Sequence, residues 1–452
     1  MTTPQAASGR HVPLAPGRLP LLGHAPQLAR RPLPFLRSLS QHGELVRIRI
    51  GPRDVYVATS APLTRQILVT DSRKFDKGEM FDELRQQMGN GLVTSAGDFH
   101  TRQRRLAQPA FHPDRVTSAA TVMSNHAAAW AASWQPDTVL DMTRQIDTIT
   151  LNTFLDVIFT DTSTDMKAAV RAWTGVRNGA MRRALSPLAA WRSHLTHTPR
   201  PTADPQADRA LAALRHAIQQ EIDQRRTGEQ DPGGMLSTLV HARDRQSGAA
   251  MPDEQVCDEI LNLLVAGTGT TSATLSWAFH EIARHPAVEQ QLLREIDAVA
   301  PRTQVLAGHI PRLPYTRQVL SEVLRRHPVW LLMRRATQPV AINGTHLPTG
   351  TRLYLSPHIL HHDPDHFPDP FTFDPDRWHP DRLTPHHTDT FIPFGAGRRR
   401  CAGDDHAWTQ LTLMVANVLT RWRLRPADDH PVRSRVGTVE RPDRLLMVPT
   451  RR

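Results

Sequence analysis

The sequence predicts a mainly α-helical chain with a small β-rich region, and three observations predict it. Seven stretches repeat apolar residues at helical spacing: Val116 to Trp134, Met142 to Ile158, Ala207 to Arg225, Asp253 to His285, Ala287 to Val299, Tyr315 to His327 and Ala402 to Trp422. Leu45 to Ile50 and Val55 to Ala58 alternate around Gly51-Pro52-Arg53-Asp54, the pattern of a β-hairpin. Short extended pieces return near Val340 to Ile342, Arg352 to Leu355 and Leu445 to Val448.

Taken in order, residues 1–10 are expected to be a disordered tail, and Pro13, Pro16, Gly17, Pro20 and Gly23 make the following arm irregular. The hairpin comes next, and helices dominate thereafter. Ser186 to Asp208, with Pro187, Pro199, Pro201 and Pro205, reads as a mobile connection between two helices. A second soft stretch runs from Arg226 to Gly234. The motifs described below lie on both sides of these segments, and no internal repeat occurs, so residues 1–452 are expected to form a single domain.

Composition narrows the function classes. No run approaches the ~18 apolar residues of a membrane span, and Met1 to Arg10 lacks the apolar core of a signal peptide, so a soluble cytoplasmic protein is expected. The two cysteines, Cys257 and Cys401, are too few for a disulfide framework and agree with a reducing compartment. The net charge of +11 invites a nucleic-acid reading, but Lys74, Lys77 and Lys167 are the only lysines among 55 basic residues. That arginine bias looks like genome base composition, and no zinc finger, basic zipper or RNA-recognition motif accompanies it. Arginines crowd 102–105 and 398–400. They make either a positive face beside the second cysteine, suited to an acidic electron-transfer protein, or a merely solvated surface.

The most informative stretch is Phe394-Gly395-Ala396-Gly397-Arg398-Arg399-Arg400-Cys401-Ala402-Gly403. Glycines at 395, 397 and 403 permit turns and close approach that a Cβ forbids, so amides can point at the sulfur and hold it ionised. The arginines and the following helix N-terminus act in the same direction. The arrangement makes a thiolate metal ligand; its bland alternative is a structural cysteine beside a helix start.

This pattern, continued by Ala407, resembles the haem-binding loop of the cytochrome P-450 monooxygenases. The resemblance runs from the proline-rich arm to Val448 and implies that family's fold, a helix-rich triangular prism with a small β-rich region. It implies haem b between the Asp253 to His285 and Ala402 to Trp422 helices, with Cys401 as proximal iron ligand and Phe394, Gly395 and Gly403 beside it. Thiolate donation favours O–O cleavage, and the implied reaction inserts oxygen from O2 into a C–H bond. Because the chain has no Gly-x-Gly-x-x-Gly loop after a strand, electrons from NAD(P)H would come through external partners, a ferredoxin and its reductase. A monomer that binds neither nucleic acid nor membrane is expected.

Glu322 and Arg325 stand three apart on one helix face, and Phe373-Asp374-Pro375-Asp376-Arg377-Trp378 follows downstream. That order resembles the family's Glu-x-x-Arg and Pro-x-Arg segments, which implies a structural role for Glu322, Arg325 and Arg377.

The Asp253 to His285 stretch is interrupted by Ala266-Gly267-Thr268-Gly269-Thr270-Thr271, poor residues for a helix centre, so a local opening of the hydrogen-bond ladder is expected. The motif resembles the family's oxygen-binding groove. Thr270 matches its proton-delivering threonine, and Gly267 is expected against the haem face. The family usually carries Asp or Glu just before that threonine, where this chain has Gly269. Either water admitted at Gly267 and Gly269, assisted by Thr268 or Thr271, replaces the acid, or the oxidation is less tightly coupled to protons. A peroxide-driven oxidase and a non-catalytic haem sensor are the rival readings.

Haem propionates need cationic partners. His100 and Arg104, four apart, match the family's Trp-x-x-x-Arg segment with His in place of Trp; Arg334, with Arg335 as competitor, and Arg399 complete the set. Substrate contacts are expected from Phe81, Leu84, Met88, Leu92, Leu263, Ala266, Val329, Trp330 and Leu331, each of which could instead be ordinary core. Their apolar character implies a hydrophobic small molecule. The 92–111 region resembles bacterial oxygenases of cyclic terpenes, which implies a terpenoid of secondary metabolism. His361-His362-Asp363-Pro364-Asp365-His366 matches a structural loop of the family rather than a metal site.

Overall fold

The computed structural model describes residues 11–160, 162–184, 204–228, 233–244 and 246–452. The expected tail at 1–10 and residues 186–203 of the expected mobile connection lie outside the described residues. The chain divides into two compact units. One comprises Met1–Phe81, Pro328–Thr372 and Leu383–Cys401; the other comprises Asp82–His327, Phe373–Arg382 and Ala402–Arg452.

The first unit is built on a five-stranded sheet. Leu45–Ile50 pairs antiparallel with Arg53–Ala58, which runs parallel to Arg352–Leu355; Leu332–Ala336 and Phe75–Asp76 complete the sheet. Period-two alternation sorts its side chains onto two cores. Val46, Ile48, Val55 and Val57 join Leu36, Leu39 and Ile359 on one, while Leu45, Ala58, Leu353 and Leu355 join Leu63, Ile67, Leu68 and Phe75 on the other. The hairpin turn is tighter than expected, because Arg53 and Asp54 already pair with Ile50 and Arg49. A second hairpin, Val340–Ile342 with Thr345–Leu347, closes on Asn343 and Gly344 at φ 49° and 74°. Those are the left-handed conformations that an Asn-Gly type I′ turn requires.

The second unit is helical. Its axis is Asp253–Arg284, whose buried residues run on both sides of its centre, as for a helix apolar nearly all round. It packs on Met142–Phe159 and on Asp404–Leu419, and the latter lies along Pro113–Ala132. Pro205–Thr227, Pro286–Val299 and Pro314–Arg326 flank this group, and a three-stranded sheet orders Leu140–Asp141, Leu446–Arg451 and Trp422–Pro426. Four of these helices begin on a proline one to three residues before their expected starts, since a missing N–H costs nothing at the first helical position. Pro205 to Asp208 therefore belong to a helix and not to the expected mobile connection.

The expected opening in the long helix is not found: Asp253–Arg284 is one uninterrupted α-helix. Packing of the buried stretches on either side explains this, since tertiary contacts outweigh weak local propensity. Thr268, Thr270, Thr271, Thr274 and Ser276 each donate to the carbonyl four residues earlier, at 2.8–3.1 Å, which satisfies the hydroxyls without breaking the ladder.

Candidate active site

In the first unit, the cysteine loop is closed by its own backbone. The Cys401 N–H donates to the Phe394 carbonyl at 2.9 Å, Arg400 N–H to Gly397 at 3.0 Å and Gly395 N–H to Ile392 at 3.0 Å. Gly395 and Gly397 take φ of 70° and 66°, and a Cβ on Gly397 would run into the Leu68 carbonyl. Cys401 is exposed, with no disulfide.

Arg334 is 8 % exposed, and its guanidinium donates to one described acceptor, the Met333 carbonyl, at 2.7 Å. Burial, then the nearby Arg399 cation, push it down to about 10. A buried cation facing another cation, with so little to bind, fits an incoming carboxylate. Its competitor Arg335 is already committed, donating from Nε and Nη2 to both oxygens of Asp76 at 2.6–3.2 Å. Trp330 and Leu331 pack against the sheet core that holds Leu36 and Ile359, and Val329 and Phe81 are half-buried. His361, also in this unit, accepts from the Ile392 N–H at 3.0 Å, and His362 bonds the His358 carbonyl at 3.0 Å.

In the second unit, His100 and Arg104 share a face of Gly97–Ala107, with His100 buried and Arg104 half-buried. Along the long helix, Ala266, Gly269 and Thr270 are exposed between two buried halves, and Leu263 lies one turn earlier on the same stripe. Thr270 Oγ1 donates to Ala266 O at 2.9 Å. Gly267 and Thr271 turn elsewhere, contrary to expectation: a Cβ on Gly267 would strike the Phe154 ring, and Thr271 is buried with its hydroxyl on Gly267 O. Gly267 is thus a packing glycine, whereas Gly269 faces open space. Met88 is wholly buried, Leu92 is 8 % exposed and Leu84 half-buried. Gly403 is half-buried against Phe111.

Glu322, Arg325 and Arg377 do meet. Arg325 donates to both Glu322 oxygens at 2.8 Å, and Arg377 Nε stands 3.7 Å from Oε1. Sequence reasoning missed two further partners, the Asp374 N–H at 3.1 Å and Trp378 Nε1 at 3.0 Å, although both flank Arg377 in the quoted segment. No helix among the described residues is long and apolar enough to cross a membrane.

Within the first unit, a thiol-bearing glycine loop and the buried Arg334 cation fit a haem-thiolate class of protein. The family model of Cytochrome P450 matches residues 13–449, and the chain belongs to that family of haem-thiolate monooxygenases. It is 38% identical over 416 residues to cyclooctat-9-en-7-ol 5-monooxygenase of Streptomyces melanosporofaciens, covering 91% of this chain and 89% of that one. It is 37% identical to cyclooctatin synthase of the same organism, with 99% and 98% covered, and 37% identical to pentalenene oxygenase of Streptomyces avermitilis, with 96% of each covered.

Proposed function

We propose that this enzyme oxygenates a cyclic terpenoid of secondary metabolism, using haem b, O2 and electrons passed from NAD(P)H through a ferredoxin reductase and a ferredoxin. The observation that carries the substrate class is the 37–38% identity, over nearly the whole length, to cyclooctatin synthase and to two oxygenases named for cyclooctat-9-en-7-ol and pentalenene. The apolar residues Leu84, Leu92, Leu263 and Ala266 support it, since they offer a greasy substrate no ionic anchor.

Within this reading both units serve one catalytic domain. Cys401 holds the iron, Arg334, Arg399, His100 and Arg104 bind the propionates, and Phe394, Gly395 and Gly403 pack beside the ring. A haem with a thiolate ligand supplies O–O bond cleavage and an oxidant able to attack unactivated C–H bonds. Proton supply falls to the chain. With no carboxylate at Gly269, a water seated on the exposed Ala266, Gly269 and Thr270 stripe carries protons, and Thr270 orients it.

The reduced, carbonylated protein is expected to show the strongly red-shifted Soret band of thiolate-bound iron, and Cys401→His to abolish it; survival of the band in that variant overturns the ligand assignment. Adding pentalenene or cyclooctat-9-en-7-ol to the ferric enzyme is expected to shift its spin state, and an unmoved spectrum with both would count against the substrate class. Gly269 also favours a second reading, peroxide-driven oxidation, which turnover with hydrogen peroxide alone would establish.

A further inference from the structure

Four polar side chains in the first half of the long helix, Gln255, Asp258, Glu259 and Asn262, reach for the backbone of residues 88–94. Asn262 Oδ1 accepts from the Val93 and Thr94 N–H groups at 3.0 and 3.2 Å, and its Nδ2 donates to the Met88 and Asp258 carbonyls at 3.0 and 2.8 Å. Asp258 Oδ2 accepts from Asn90 N–H at 2.6 Å, while Arg215 donates to Oδ1 at 2.7 Å. Glu259 Oε2 accepts from Leu92 N–H at 2.8 Å, and Gln255 Nε2 bridges Oε1 to the Asn90 carbonyl at 3.1 Å each. Four backbone N–H groups of one short segment are thus captured by three residues that are 7 %, 1 % and 0 % exposed.

Two glycines make this approach possible. Gly89 sits at φ +72°, and a Cβ there would overlap the Asp258 carboxylate; on Gly91 it would lie 2.5 Å from Asn262 Nδ2. Burying two adjacent carboxylates in a helix core is costly, and apolar residues would pack there more cheaply. The return is a loop whose amides have no slack, because four of them are held by buried acceptors on one helix, and releasing a buried amide leaves it unsatisfied. The grip is placed to matter for substrate. Met88 and Leu92 lie inside the captured segment, and Asn262 precedes Ala266 by one helical turn, about 6 Å along the axis.

We propose that Asp258, Glu259 and Asn262 are positioning residues that clamp the Met88 to Thr94 segment as a fixed wall of the substrate site, and so set the largest molecule the enzyme admits. The proposal rests on the haem-thiolate reading above for its notion of a substrate site, but the clamp itself is a property of the chain.

The test uses the haem-loaded enzyme with Glu259→Leu, Glu259→Gln, Asn262→Ala and Gly91→Ala. Hydrogen exchange is followed in peptides covering 88–95, and affinities are read from the spectral shifts given by imidazole and by the bulky azole clotrimazole. In Glu259→Leu, Asn262→Ala and Gly91→Ala the segment's amides should exchange about tenfold faster. Clotrimazole should gain about fivefold in affinity relative to imidazole. Glu259→Gln, which keeps an acceptor for Leu92 N–H, should stay within about twofold of the parent on both readouts. Variants that retain the carbonyl Soret band yet show parental exchange and parental azole ratio overturn the proposal. A parent that gives no azole shift overturns instead the haem reading on which the substrate wall depends. Should one variant fail to fold, either of the other two loosening variants decides the question.

Discussion

Arg325 donates from Nε and Nη2 to the two carboxylate oxygens of Glu322, and neither residue has any exposed surface. The parallel fork is the strongest form of this ion pair, and Asp374 N–H and Trp378 Nε1 occupy further lone pairs of the same carboxylate. Glu322→Ala removes the carboxylate that faces the buried Arg325 cation and should cost about 3–5 kcal/mol. Urea unfolding of the holoenzyme checks this, and a variant as stable as the parent would contradict it. Arg377→Gln, which touches the cluster at longer range, should cost less.

Arg334 and Arg335 are adjacent in sequence but differ in commitment. Arg334→Gln should speed haem loss to an acceptor protein by about tenfold, whereas Arg335→Gln, already occupied by Asp76, should leave it near the parental rate. Equal rates in the two variants would place the propionate contact elsewhere.

Gly267 and Phe154 offer a paired test. Gly267→Ala drives a methyl into the Phe154 ring and should destabilise by roughly 1–3 kcal/mol. Phe154→Leu should relieve most of that loss in the double variant, and strictly additive losses would show that the two do not meet.

Gly269→Glu restores a carboxylate where the chain has open space, and it should change the hydrogen peroxide released per electron consumed. An unchanged ratio would remove the water-relay account of proton supply.

His406 gives a prediction in pH. It is 6 % exposed, neither ring nitrogen has a hydrogen-bond partner, and Phe111 meets it edge-on at 5.7 Å. Burial pushes its pKa down to about 4, with the nearby Asp404 charge opposing. Because the folded state resists a proton that the unfolded chain accepts below 6.5, stability present at pH 7 is lost as pH falls towards 4, on the order of 3 kcal/mol. His406→Leu should flatten that part of the acid limb in pH-dependent unfolding. His280, also pushed down to about 4 by burial, should account for part of what remains.

How much could be read in advance follows the reach of each interaction. The Cys401 loop and the Glu322 to Arg325 spacing are local, so their residue types announce them. Proline also breaks helices, so apolar periodicity alone starts these helices after Pro113, Pro286 and Pro314, and only the backbone distinguishes the two uses. The role of Gly267 depends on Phe154, more than a hundred positions away, and the captured amides at Asn90 and Leu92 depend on Asp258 and Glu259. The adjacent acids Asp258 and Glu259 stand in the sequence, yet nothing in their spacing says what they hold. The parallel pairing of Val55 with Arg352 spans the chain in the same way.

The bond from Thr270 Oγ1 to the Ala266 carbonyl also gives the threonine a direction. Its hydrogen is spent inward, so a visitor to the stripe meets lone pairs alone. If the proposed substrate reaches this stripe, an alcohol could donate there and a ketone could not. Under the proposed water relay, Thr270 would have to swing its O–H off Ala266 before passing a proton outward, so rotation about one C–O bond would gate that step.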